Sequence, residues 1–419
     1  MNKLKYFMTS NLGGGGQTVS RFPKHLGFFN DGSFQNIGIL LNYHYLTFYE
    51  KEGPRKTNRM VFDKKHLETL NNTKINFNDF FNLYKEETLS DTNITNEQLG
   101  YDILLDTGSG KILADSILHY DLSRQECIDL IFKLVEHHLE FSIQKKAKYV
   151  IAMDFCKKNT YKNKEGRSEN YKNIINTILK DNKLQNDLLL LSLEKIKGNR
   201  DIKLFAPLHG NSVEDYLNHH QSIVSLENKS SMRFSGFAIG GLGRTKLIDI
   251  CKIVKEIRDL GEDRDIHILG SSGLNKLLPL CYSGANFFDC HTPWRRANDN
   301  ENKFSIPLLN KKQEPISTER TFKNIDFVDL QTTENNCDCK VCENFKYEDI
   351  SKMLLNRNNN SEDYYFAKIL IYFHAVYQYS FALKKLESLS SKQEYWDFFK
   401  TIKDINYREG LMKIIESID

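Results

Sequence analysis

The chain has 419 residues, 40% of them hydrophobic and 12% aromatic, which supports one large domain or two ordinary ones and excludes an intrinsically disordered chain. Its 58 basic and 55 acidic residues leave a formal charge of +3, which permits a polyanionic partner without demanding one. The opening MNKLKYFMTSNLGGGG has no apolar core of signal-peptide length, and no stretch approaches the roughly 20 apolar residues of a membrane span. A cytoplasmic protein without a membrane anchor is therefore expected.

In chain order, apolar β-rich runs occur at KYFMTS (5–10), IGILLNY (37–43), YDILLD (101–106) and YVIAMD (149–154). Four more follow at KLFAPL (203–208), FSGFAIGG (234–241), IHILGS (266–271) and ANFFDC (285–290). Among the pieces between them, QECIDLIFKLVEHHLEFSIQKK, ENYKNIINTILK, KLIDICKIVKEIRDLG and LNKLLPLCYSG carry apolar residues at the three- and four-residue spacing of amphipathic helices. Near-continuous apolar strands alternating with such helices imply a parallel sheet covered on its outer face. Eight strands point to an α/β fold of the (β/α)8 TIM barrel type, with a doubly wound sheet as the alternative. GGGGQT (13–18) lacks the Gly-Lys-Ser/Thr ending of a phosphate loop and reads as a turn. Residues 291–336 are polar and aperiodic, an extended connector. The asparagine-rich NRNNNSED reads as a loop, and YYFAKILIYFHAVYQYSFALKKLESL (364–389) as a long helix. The expected division is a barrel over 1–310 and a C-terminal helical subdomain over 311–419.

A barrel of this kind builds its site from the C-terminal strand ends and the loops after them. Those ends carry Asp106, Asp154, His209-Gly210, Gly240-Gly241 and Asp289. A single strand-end Asp is more often a helix cap or turn residue. Three on one rim with an imidazole form an enzyme-like pattern.

Cys337, Cys339 and Cys342 are spaced C-x-C-x2-C. One tight turn can then present three thiolates to a tetrahedral ion, and in a reducing compartment clustered thiols bind metal more often than they pair. His374 is the one histidine C-terminal to the cluster and supplies the fourth ligand of a closed structural Zn2+ site. A redox-active pair and an incidental cluster are the alternatives. The isolated cysteines read as buried small hydrophobes.

These segments together resemble the tRNA-guanine transglycosylases, zinc-containing (β/α)8 barrels that exchange guanine for a 7-deazaguanine. The resemblance covers roughly residues 95–390 in matching order. LLDTGSG is similar to the family's Asp-Ser-Gly segment, which implies Asp106 as the general acid/base. IAMDFC resembles the family's Phe-Asp-Glu-Cys and implies that Asp154 recognises the base. LFAPLHGNSVEDY and GFAIGGLG resemble the next two motifs, and imply base contacts at His209, Gly210, Gly241 and Leu242. GANFFDCHTPWRRA resembles Met-Phe-Asp-Cys-Val-x-Pro-Thr-Arg-x-Ala and implies Asp289 as the nucleophile. CDCKVC with FHAVYQY resembles the zinc motif and its helix. The implied partners are a nucleic acid, held in part by Arg295, Arg296, Lys311 and Lys312, and a free 7-deazaguanine base. A homodimer or a partner subunit is also compatible with the resemblance.

The departures from the family pattern are informative. His209 stands where the family has Gln, Gly110 replaces the stacking aromatic and Lys111 the following Gln. Lys246 falls in the register of a Glu that reads a cationic aminomethyl group, so a neutral base such as 7-cyano-7-deazaguanine is expected. This divergence favours the paralogues that modify DNA, with tRNA as the main alternative. LLDTGSG also meets the aspartic-protease signature, but that chemistry needs two facing loops and the chain has one. A non-catalytic partner subunit is disfavoured by the presence of both Asp106 and Asp289.

Overall fold

The computed structural model describes residues 3–9, 36–43, 102–108, 123–144, 147–155, 177–243, 245–293, 304–305, 321–322, 339–355, 362–402 and 405–419. Eight strands close into a barrel in sequence order: β1 (Lys5–Thr9), β2 (Ile37–Asn42), β3 (Asp102–Asp106), β4 (Tyr149–Ile151), β5 (Lys203–Leu208), β6 (Gly236–Ile239), β7 (Asp265–Ile268) and β8 (Phe287–Cys290). The helices between them are α1 (Arg124–Gln144), α2 (Asn182–Ile196), α3 (Val213–Ser230), α4 (Leu247–Asp259) and α5 (Leu274–Tyr282). Beyond the barrel come a short antiparallel pair, β9 (Phe304–Ser305) and β10 (Thr321–Phe322), and then α6 (Lys340–Asn344), α7 (Tyr347–Leu355), α8 (Glu362–Glu387), α9 (Lys392–Lys400) and α10 (Ile405–Glu416). The doubly wound alternative is thereby excluded. No helix among the described residues is long and apolar enough to cross a membrane.

The strands are apolar on both faces because each face is covered. In β8 every residue is buried, and the two-residue alternation sorts them. Phe287 and Asp289 share a face with Phe7 of β1, which stands opposite Asp289. Cys290 faces the other way with Tyr6, whose hydroxyl donates to the Cys290 carbonyl at 3.1 Å. There α8 covers the seam between the first and last strands. Tyr379 stacks on Tyr6 with ring centroids 4.2 Å apart, and its hydroxyl lies 3.2 Å from Cys290 Sγ. At the end of α8, Glu387 accepts from the backbone N–H of Leu4 at 2.7 Å and from Asn36 Nδ2 at 2.9 Å. The long apolar helix is thus a wall of the core rather than a solvent-facing amphipath.

One strand is shorter than its apolar run. YVIAMD suggests a strand over 149–154, but β4 stops at Ile151. The cause lies in its neighbour. Phe205 faces β4, its carbonyl accepting from Ala152 N at 2.9 Å, and alternation turns Pro207 the same way. Pro207 has no N–H for the next rung, so the ladder ends there. Past that last rung residues 153–155 run on outside any strand, and Asp154 lies on that stretch.

The contacts divide the chain into two compact units. One comprises residues 1–10, 16–39 and 242–419, the other residues 11–15 and 40–241.

Candidate active site

In the unit of residues 40–241, Asp106 ends β3 and accepts a hydrogen bond from Asn42 Nδ2 at 3.0 Å. Asp154 and His209 come together, with His209 Nε2 3.0 Å from Asp154 Oδ1, and both side chains are largely buried. Each is held from behind. The Phe155 N–H donates to Gln185 Oε1 of α2 at 3.2 Å, and the His209 N–H donates to His219 Nδ1 of α3 at 3.1 Å. His209 follows β5 directly and leads through Gly210 into α3. That helix opens with a capping box, in which Ser212 Oγ accepts from Asp215 N and the Asp215 carboxylate accepts from Ser212 N. Gly210 is required by space, because a Cβ there would stand 2.7 Å from Tyr216 Cδ2 and 2.8 Å from Tyr216 N. Tyr216, itself buried, donates its hydroxyl to the Gly240 carbonyl at 2.7 Å. Gly241 follows with φ +72°, a left-handed conformation that disfavours any side chain.

In the other unit, Asp289 sits near the C-terminal end of β8 and is 4% exposed. Its Oδ1 accepts from the Gly270 N–H at 3.0 Å and lies 2.9 Å from His267 Nε2. Gly270 adopts φ +66° in the turn after β7, which aims its N–H back at the carboxylate. Ser272, fully buried, lies with its hydroxyl 3.0 Å from both the Ile268 and the Asp289 carbonyls, tying the ends of β7 and β8 together. Leu242 is buried just after β6.

Cys339, Cys342 and His374 form a third cluster, their ligand atoms all within 4.8 Å of one another. His374 Nδ1 is 3.4 Å from Cys339 Sγ and 3.3 Å from Cys342 Sγ. A tetrahedral ion with ordinary Zn–S and Zn–N bonds sets that separation at about 3.6 Å, so the donor set fits. Cys339 also caps α6, its Sγ accepting from Cys342 N at 3.4 Å. The Gln378 side-chain amide lies 2.6 Å from His374 Nε2, one helical turn on, and fixes the ring with Nδ1 towards the sulfurs. Cys337 lies outside the described residues, as do Gly110, Lys111, Arg295, Arg296, Lys311, Lys312 and the GGGGQT segment. Lys246 is described, exposed at the N-cap of α4.

Several residues at these clusters escaped the sequence reading: Asn42, Gln185, His219, His267 and Gln378. His267 had a usable signal, since a histidine between isoleucines in an otherwise apolar strand must find a polar partner or leave its ring nitrogens unpaired. The others depend on which element packs where.

A family model described as queuine tRNA-ribosyltransferase matches residues 135–404. That span contains Asp154, His209, Gly210, Gly241, Leu242, Asp289 and the cysteine cluster, and it begins C-terminal to Asp106. The queuine tRNA-ribosyltransferase of Thermodesulfovibrio yellowstonii is 35% identical over 127 residues, 29% of this chain and 30% of that protein. That of Francisella tularensis subsp. novicida is 30% identical over 150 residues, 35% and 37% of the two chains. The chain thus spans about a third of the length of the curated relatives it matches.

Proposed function

The chain belongs to the queuine tRNA-ribosyltransferase family, and on that premise we propose that it is a pentosyltransferase exchanging guanine in a nucleic acid for a 7-deazaguanine. The observation that carries the reading is Asp289, a buried carboxylate at a strand end with one oxygen held by two groups, inside the span the family model matches. Replacing a base with retention at C1′ takes two displacements on one sugar face. Asp289 attacks C1′ while the C1′–N9 bond breaks, and guanine leaves with that electron pair and a proton from Asp106. The incoming base, deprotonated at N9 by Asp106, then attacks C1′ and releases the Asp289 carboxylate. Asp154, braced by His209, accepts from the N–H donors on the base's Watson–Crick edge. The backbone around Gly210, Gly241 and Leu242 approaches the base closely because two of these positions lack side chains. The target nucleotide must first leave its stack.

Zinc on Cys337, Cys339, Cys342 and His374 would fill all four positions of a closed site, so its role is structural, holding α6 to α8 within a subdomain of residues 311–419 beside a barrel of residues 1–310. The polymer in the family's description is tRNA. A second reading, DNA as the polymer, is favoured by the departures at His209 and Lys246, and the exposed ammonium of Lys246 favours a neutral base such as 7-cyano-7-deazaguanine. A cytoplasmic location accords with either polymer.

The test is incorporation of labelled guanine into tRNA and into DNA by the wild type and by Asp289→Ala, with a gel assay for a covalent protein–nucleic acid adduct. Exchange and adduct should both vanish in the variant. Undiminished exchange by Asp289→Ala would remove Asp289 from the role, and label confined to tRNA would sink the DNA reading.

A further inference from the structure

We infer that His267 is a positioning residue for Asp289, which together with the Gly270 N–H locks Oδ1 and leaves Oδ2 as the oxygen that attacks C1′. The inference rests on the reading of Asp289 as nucleophile. Register and alternation create the contact. His267 stands opposite Phe287 in the β7–β8 ladder, so Asp289, two residues on from Phe287, projects from the same face as His267. There the imidazole is fully buried, with the ring of Phe7 centred 5.7 Å away and that of Phe287 6.5 Å away.

The hydrogen-bond pattern fixes the tautomer. Nε2 faces the carboxylate at 2.9 Å, whereas Nδ1 is buried with no hydrogen-bond partner among the described residues. A proton on Nδ1 would be a buried donor with no acceptor, and Nε2 would then turn a lone pair towards a carboxylate oxygen. The ring proton therefore sits on Nε2 and is donated to Oδ1. With the Gly270 amide as second donor, Oδ1 has two hydrogen bonds at about 3 Å, while among the described residues Oδ2 accepts none. The oxygen with its lone pairs uncommitted is the better nucleophile, and one fixed carboxylate rotamer holds it on one line of approach. As the Oδ2–C1′ bond forms and the C1′–N9 pair departs with the base, the ester is made through Oδ2 and its carbonyl oxygen, Oδ1, keeps both donors. When the second displacement breaks that bond, the carboxylate is returned to the same rotamer. His267 takes no proton and gives none up in this cycle.

The experiment compares His267→Phe, which keeps a ring in the aromatic niche but lacks the donor, with His267→Gln, whose amide nitrogen reaches about as far as Nε2. Guanine exchange is measured as kcat and KM separately, and the ring tautomer is read from 15N-edited NMR of the full chain. His267→Phe should lower kcat by about 10- to 100-fold, the usual cost of a misdirected reacting group, with KM for the base changed no more than about threefold. His267→Gln should recover most of that loss, and the wild-type ring should carry its proton on Nε2. Unchanged kcat in His267→Phe, equal loss in Phe and Gln variants, or an Nδ1–H tautomer would each overturn the inference. These outcomes are distinct from failure of the nucleophile reading, which is signalled by exchange that survives Asp289→Ala.

Discussion

Gly210→Ala adds one methyl group at the most crowded point of the Asp154–His209 cluster. The new Cβ would stand 2.7 Å from Tyr216 Cδ2, 2.8 Å from Asp215 Cβ and 2.8 Å from Tyr216 N. Ordinary carbon contacts lie near 3.5–4.0 Å, so each pair must part by about 0.7 Å or more. The side chains alone cannot relieve this, because Tyr216 N is backbone in the first turn of α3 and the capping box holds that turn. Overpacking of this severity costs about 1–3 kcal/mol. Shifting Tyr216 also strains its 2.7 Å hydrogen bond to the Gly240 carbonyl, worth about 1 kcal/mol. The sum is about 2–4 kcal/mol, and with a urea m-value of about 2–3 kcal/mol/M the unfolding midpoint should drop by roughly 1 M. Gly243→Ala is the control, since nothing lies within 4 Å of its added Cβ. A Gly210→Ala midpoint within about 0.2 M of both control and wild type would refute the packing argument.

Acid sensitivity should concentrate in α1. Burial, with His137 adjacent, pushes the His138 imidazole down to about 3, burial alone pushes His137 down to about 4, and among the described residues neither ring nitrogen of His138 has a hydrogen-bond partner. The unfolded chain binds these protons first, so stability should fall as pH drops below about 6.5, by up to about 1.4 kcal/mol per pH unit for each ring. The fall should level off only below the folded values. His138→Leu should flatten that slope in urea midpoints taken between about pH 7 and about pH 5, and identical slopes for variant and wild type would contradict it. Chelation of the wild type, or Cys342→Ser, should lower the melting temperature by roughly 10 °C or more and remove about one zinc per chain by elemental analysis. Equal melting curves with and without chelator would remove the metal from the cluster.

The barrel was legible because parallel strands buried on both faces write themselves as near-continuous apolar runs, as KLFAPL does for β5. The stop of β4 at Ile151 was not. It is caused by Pro207, some fifty positions away in sequence but adjacent in the sheet. The same distinction runs through the site. Asp106, Asp154, His209 and Asp289 stand out as polar residues at apolar strand ends, whereas Asn42 becomes meaningful, and the partner that buried His267 needs becomes identifiable, only once strand order and register are known. His267 and Asp289 meet because β7 and β8 pair at His267 and Phe287, and a slip of one residue would point them to opposite faces. The cysteine cluster was legible by spacing alone, but the Gln378 amide that orients His374 depends on which face of α8 turns inward.

The seam between β1 and β8 bears on how the protein is made. Leu4 and Glu387, hydrogen-bonded across it, are 383 positions apart. On a ribosome adding about 5–20 residues per second, the first strand must wait roughly 20 to 80 s for the helix that covers it. Until β8 (Phe287–Cys290) is made, Tyr6, Phe7 and Met8 belong to an apolar strand with an unpaired edge, the kind of surface that invites aggregation. Closure is therefore a late, non-local event, and a nascent chain of this protein is a natural client for chaperones that shield strand edges until the C-terminal helices emerge.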